Sequence, residues 1–162
     1  MDKQSIYQYL SDRNIPFEST EHGAVYNMAE LDDISVPHPE DTAKNLFVRD
    51  DKKRSYYLIT VKGTKRVDLK EFKQKHQTRT LSFASEQDLS SLLGLFPGAV
   101  TPLGLLNDSA HRVQLFLDRE FLSGSGYIGV HPNDNTTSVR LKTEDLISLL
   151  REHGSTVHVE EI

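Results

Sequence analysis

The chain has 162 residues, long enough to bury a core of its own, and no cysteine, which excludes a disulfide framework, a thiolate metal site and a thiol nucleophile. No stretch approaches the roughly 18 apolar residues of a membrane span, and the opening MDKQSIYQYL lacks a signal-peptide pattern, so a cytoplasmic protein is expected. The net charge of −5 is unevenly spread: Lys44 to Arg79 holds twelve Lys or Arg against four Asp or Glu, a net +8, and the remainder carries −13.

In chain order, Lys3 to Arg13 predicts a helix, with Ile6, Tyr9, Leu10 and Arg13 at helical spacing and Asn14 ending it. Pro16 forces the chain into extended form, and Phe17 to Thr20 reads as a short strand. Met28 to Ile34 has the pattern of a second, shorter helix. Asn45 to Arg49 and Tyr56 to Val61 are β-rich runs joined by the charged turn Asp50 to Arg54, a hairpin with a longer loop. Asp68 with Glu71, and Ser85 with Asp88, are spaced to cap two following helices, the second closed by Gly94. Strands resume at Val113 to Leu117, Tyr127 to Val130 and Ser138 to Leu141. A last helix, Thr143 to His153, stops at Gly154 before Val157 to Val159. The regular strand–helix alternation of a parallel sheet is missing, and no repeat or linker divides the chain. The expected fold is therefore α+β, one compact domain over residues 1–162 with a mixed, mostly antiparallel sheet and peripheral helices.

Three segments carry unusual local chemistry. In Asp41 to Asp50, Lys44 sits where a polar loop enters a hydrophobic strand, so its ammonium can project from a rigid element toward a phosphate or a developing negative charge. An exposed lysine at a strand start is the plainer alternative. In Leu95 to Gly104, Pro97 and Pro102 bracket a small-residue turn, and Gly98 permits close approach or positive φ. Such a loop can present free amides to a carbonyl or oxyanion, or serve as a rigid connector. In Gly129 to Thr136, a strand ends at His131, whose imidazole can orient a substrate or transfer a proton. His131 and Asp134 have no third ligand at recognisable spacing, so no metal is expected. Ser123 to Gly126 lacks the Gly-Lys-Ser/Thr ending of a phosphate loop and reads as a flexible turn. The basic run is either a set of solvated faces or a phosphate-contacting surface.

Thr42 to Phe47, Leu81 to Ala84, Pro97 to Pro102, and His131 to Asn133 with Asn135 and Thr136 occur in the order and spacing of a known family. Each motif alone is weak, but the four in register are specific. The chain resembles, over nearly its whole length, the bacterial free-standing relatives of the editing domain inserted in many prolyl-tRNA synthetases, the YbaK-like group. That resemblance implies hydrolysis of the ester between an amino acid and the terminal adenosine of tRNA, without a metal, cofactor or side-chain nucleophile. The family's essential lysine maps onto Lys44, its Gly-x-x-x-Pro loop onto Gly98 to Pro102, and its histidine onto His131. Asn45, Ala99, Val100, Thr101, Pro102, Val130 and Asn135 then become substrate-contacting positions. The expected partners are a mischarged proline tRNA and a prolyl-tRNA synthetase, with no DNA and no membrane.

Within the family one branch clears alanine and another cysteine. Val100 to Asp108, with His131-Pro132 and Asn135-Thr136, resembles the alanine branch, although Ala99 stands where serine is common. The alternatives are a cysteinyl-tRNA deacylase of the same family, a non-catalytic regulator that binds tRNA or synthetase, and a plain nucleic-acid-binding protein. The expected mechanism has the Gly98 loop binding the aminoacyl carbonyl, His131 orienting the aminoacyl group and Lys44 holding the terminal nucleotide.

Overall fold

The computed structural model describes residues 1–23 and 37–162; the helix expected over Met28 to Ile34 lies outside the described residues. The first helix, α1 (Lys3–Asp12), begins where the Asp2 carboxylate accepts the Ser5 amide at 2.8 Å and buries Ile6 and Leu10 completely. Each such side chain contributes about 1.5–3 kcal/mol through burial. Asn14 then turns the chain at φ 55°, and Tyr7 stacks on Phe17 at 5.4 Å, which places the next strand, β1 (Phe17–Glu21), against the helix.

The hairpin is longer at both ends than its hydrophobic pattern suggests: β2 (Ala43–Asp50) pairs antiparallel with β3 (Tyr56–Lys62). Its turn is built by Asp50, whose Oδ1 accepts the amides of Lys52 and Arg54 at 3.2 and 2.9 Å, so a charged sequence makes a defined reversal. Helix α2 (Leu69–His76) and helix α3 (Glu86–Leu93) start as the sequence predicts. Asp68 accepts from the amides of Lys70 and Glu71, Ser85 accepts from that of Asp88, and Gly94 caps α3 at φ 63°. Between them Leu81–Phe83 forms β4, paired with β2. Three residues are too short a run to show a strand period in sequence.

After a 3-10 helix at Pro102–Asn107 come β5 (Val113–Asp118), β6 (Tyr127–Val130), β7 (Thr137–Lys142), α4 (Thr143–His153) and β8 (Val157–Glu160). The strands fall into two sheets rather than one. The first has the order β4-β2-β3-β5-β8, with β3-β5 and β5-β8 parallel; the second, β1-β7-β6, is antiparallel throughout. Four of the six pairings are antiparallel, and the class is α+β. The two sheets touch where Thr42, just before β2, forms a single parallel bridge with Gly129 of β6.

Alternation along β2 and β3 separates two cores. Ala43, Phe47, Tyr56 and Leu58 face the larger one, shared with α1, α3, α4 and the three-stranded sheet. Val48, Tyr57, Ile59 and Val61 face a smaller one closed by Phe72 of α2 and Phe116 of β5. Because the candidate residues lie where β2 begins and β6 ends, the seam between the sheets decides how they meet.

Candidate active site

Lys44 and Asn45 are neighbours on β2 and therefore point to opposite faces of the sheet. Asn45 turns toward the larger core, where its Oδ1 accepts the Thr60 hydroxyl at 2.7 Å and its Nδ2 donates to the Val100 carbonyl at 3.2 Å. Both ends of the amide are used, so its orientation is fixed and the loop after Pro97 is tied to β2. Lys44 turns the other way and is only partly exposed; its ammonium donates to the Lys65 carbonyl. That bond holds the lysine at the strand entrance instead of leaving it free in solvent, and an approaching phosphate must compete with one carbonyl.

The loop itself is stiff. Gly98 adopts φ 92°, which lets the chain turn directly after Pro97. Ala99 is fully buried and its amide donates to the Phe96 carbonyl at 3.0 Å. Thr101, also fully buried, caps the following 3-10 helix by accepting the Leu103 amide at 3.3 Å, and Pro102 is buried behind it. The amides of Gly98 and Val100 have no partner among the described residues. A rigid turn with unused donors is the arrangement that binds a carbonyl or oxyanion.

His131 ends β6, following the buried Val130, which pairs with Val139. Its Nδ1 lies 2.9 Å from the Thr137 carbonyl, so that nitrogen carries the proton and Nε2 keeps a lone pair. Burial pushes the imidazole pKa down; the nearby His22 ring, 6.2 Å away, adds to this, while the Thr137 carbonyl and Asp134 oppose it. The ring is therefore neutral at physiological pH. In the turn that follows, Asp134 accepts both the amide and the hydroxyl of Thr136, which lowers its pKa, Asn133 donates to the Met1 carbonyl at 2.9 Å, and Asn135 is buried and engaged.

The parallel bridge Thr42–Gly129 relates the strand ends. Lys44 lies two residues after Thr42 on β2, and His131 two residues after Gly129, just past the end of β6. The structure ties Asn45 to the loop through Val100, while Lys44 points to the other face of β2 toward Lys65 and His131 is held by Thr137. Among the described residues no hydrogen bond joins Lys44, the Gly98 loop and His131 to one another.

Three residues that local pattern does not single out hold this seam. Asp41, 1% exposed, accepts from Arg140 Nε at 2.8 Å and from the Ser125 hydroxyl at 2.6 Å, and Lys62 lies 3.9 Å away. Ser125 comes from the run read as a flexible turn, which here is a latch. The partners lie 84 and 99 residues from Asp41, beyond any local motif. His38, Glu40 and Asp41 also gather their ligand atoms within 4.8 Å of one another, a grouping the sequence spacing did not suggest, although both Asp41 oxygens are already occupied.

The sequence profile of the aminoacyl-tRNA editing domain matches residues 22–149, which include every candidate position. The chain belongs to the aminoacyl-tRNA editing domain family. It is an enzyme of the aminoacyl-tRNA deacylase class. It is similar to the prolyl-tRNA editing protein ProX of Acetoanaerobium sticklandii, at 37% identity over 160 residues covering 99% of this chain and 97% of that protein. It is also similar to the prolyl-tRNA synthetase associated domain-containing protein 1 of Xenopus laevis, at 30% identity over 94% of this chain and 92% of that one. Among solved structures, one titled as a putative trans-editing enzyme for prolyl tRNA synthetase superposes with a TM-score of 0.68 at 20% identity, covering 97% and 94% of the two chains. That likeness shows the editing domain's fold.

Proposed function

We propose that this editing domain removes wrongly attached alanine from proline tRNA, cleaving the ester at the terminal adenosine. The observation that carries the reading is the Asn45-anchored loop, whose Gly98 and Val100 amides are unused and whose Ala99 and Thr101 are buried. The substrate crosses the start of β2, with a phosphate near Lys44 on one face and the acyl group near the loop tied to Asn45 on the other. Lys44 holds the terminal nucleotide on one side of the strand. Amides of the loop bind the acyl carbonyl and the charge that develops on it, an interaction worth about 3 kcal/mol of barrier per donor. His131 accepts a proton or hydrogen bond at Nε2 and orients the aminoacyl group or the attacking water. Val130 and Asn135 support that end of the site.

Selectivity follows from size. Proline is bulkier than alanine, so a tight acyl pocket rejects the correct product by clash and admits the error, which a synthetase pocket shaped for proline discriminates against weakly. The names of the relatives support prolyl-tRNA as the substrate class and a prolyl-tRNA synthetase as a partner. The deciding experiment measures deacylation of alanyl-, cysteinyl- and prolyl-tRNA(Pro) by the wild type and by Lys44→Ala. Fastest turnover of the alanyl ester, lost in a folded Lys44→Ala protein, is expected. Preference for the cysteinyl ester would reassign the substrate, and tRNA binding without turnover would make the protein a regulator.

A further inference from the structure

The structure sorts the basic run from Lys44 to Arg79 into committed and free charges. Carboxylates engage Arg49 (Asp88, 3.5 Å), Lys62 (Asp41, 3.9 Å), Lys65 (Asp118, 2.6 Å) and Arg79 (Asp51, 2.6 Å). Carbonyls hold Lys44 and Lys75. Lys52, Lys53, Arg54, Arg66 and Lys70 are exposed and form no ion pair among the described residues, and Lys73 reaches only the Thr80 hydroxyl at 3.1 Å.

These six cations are carried by α2, the residue Arg66 before it and the β2–β3 turn. Helix α2 packs on the five-stranded sheet through Phe72, against Tyr57 and Phe116 with ring centroids 6.4 and 4.9 Å apart. Arg66 precedes α2 at the end where Lys44 bonds to Lys65. Lys70 and Lys73 follow along the helix. Beyond it, Arg79 grips Asp51 of the hairpin turn that carries Lys52, Lys53 and Arg54. The strip therefore runs beside the eight residues of β2, about 25 Å at the rise of an extended strand. That is the length of roughly seven phosphates along one nucleic-acid strand. Carboxylates interrupt it at Glu71, at Asp68, occupied as the α2 cap, at Asp51, held by Arg79, and at Glu161, which lies beside Arg66 and Lys75. The rest of the chain carries a net −13, so the positive charge is concentrated in this run.

We propose that this strip, α2 with the β2–β3 turn, docks the sugar–phosphate backbone of a double-stranded RNA stem whose 3′ end enters the site at Lys44. The proposal rests on the reading of the substrate as an aminoacylated tRNA. The stem lies along α2, its backbone phosphates on Lys70 and Lys73 and, further from the ester, on Lys52 and Lys53. Positive charge spaced along a rigid helix and turn fixes register without reading bases.

The test compares the wild type with K70Q/K73Q and K52Q/K53Q on two substrates bearing the same aminoacyl ester, full-length tRNA and aminoacyl-adenosine. Each pair of substitutions is expected to raise KM for the tRNA about tenfold near physiological salt, and to lower the slope of log KM against log salt by about 1–2. Hydrolysis of aminoacyl-adenosine stays within about twofold, and K142Q, on the opposite sheet, changes neither. An unchanged KM and salt slope on tRNA, or an equal loss on both substrates, overturns the proposal. If the wild type hydrolyses neither ester, the proposed function fails, and the strip is then judged by salt-dependent binding of an uncharged RNA hairpin. Weaker binding by both variants upholds it, and equal binding overturns it.

Discussion

At the scale of single residues, Gly98 and His131 make the sharpest demands. Gly98 stands at φ 92°, where a β-branched side chain is strained by roughly 1–2 kcal/mol and would intrude on the space in front of the loop amides. Gly98→Val is expected to lower kcat/KM on alanyl-tRNA(Pro) by about a hundredfold in a protein that still folds, as followed by circular dichroism and melting. Val100→Ala, which keeps the amide, should stay within a few-fold; full activity in folded Gly98→Val would show the loop to be a connector. Thr101 is not a neutral comparator, because its hydroxyl caps the 3-10 helix and Thr101→Ala costs about 1 kcal/mol. His131 gives a pH prediction. Burial holds its pKa below the ordinary imidazole range, so Nε2 is free at neutral pH and becomes protonated only as pH falls. Activity should be flat around neutrality and drop on an acid limb that His131→Ala removes. The sign for stability is the same: the unfolded chain takes up this proton first, so the contribution is complete above the ordinary imidazole pKa. It is lost as pH falls through the lowered folded value. A pH titration of kcat/KM beside a pH series of melting curves separates the two effects.

At the scale of elements, β2 and β6 touch through one bridge, and buried Asp41 fastens the join through Arg140 and Ser125. Asp41 ends the 3-10 helix Pro39–Asp41, three residues before Lys44, and Gly129 stands on β6 two residues before His131, so both candidate residues lie close in the chain to the seam. Asp41→Asn leaves Arg140 without its buried counter-ion. The expected cost is about 3 kcal/mol, at the low end for a broken buried pair because Glu18 remains 3.9 Å from Arg140. Melting should fall on the order of 10 °C. If the seam positions the site, kcat should fall with KM for tRNA little changed below the new melting point; a variant that loses stability but keeps kcat would confine Asp41 to the fold. The elements themselves were readable wherever a period or a cap marked them. Helix α4 shows its apolar face in Leu146, Ile147, Leu149 and Leu150, and Asp68 and Ser85 announce α2 and α3. Strand β4 has no such mark in the sequence: its three residues are a strand through their pairing with β2.

At the scale of the whole molecule, charge and donor chemistry are distributed in a way that bears on metals. The groups at the candidate site are an ammonium, a neutral imidazole and backbone amides, none of them a set of anionic ligands. In the one three-residue group among the described residues, His38, Glu40 and Asp41, the Asp41 oxygens already serve Arg140 and Ser125. Deacylation should therefore survive EDTA; a loss restored by zinc would place a metal among these residues. No helix among the described residues is long and apolar enough to cross a membrane.

Composition, local periodicity and the four motifs were enough to give the α+β class, most element boundaries, the family and the candidate residues. Each of these is carried by residues close together in the chain or by their order along it. How those residues meet was not legible there. That Lys44 and Asn45 work on opposite sides of β2 follows from strand alternation only once the larger core is known to lie on the Asn45 side. The two sheets meet at the Thr42–Gly129 bridge, and the latch at Asp41 draws on residues 84 and 99 positions away. The basic run posed the same problem. Its net charge is a property of composition, but which cations remain free depends on the carboxylates that folding brings beside the others, from Asp118 at Lys65 to Asp88 at Arg49.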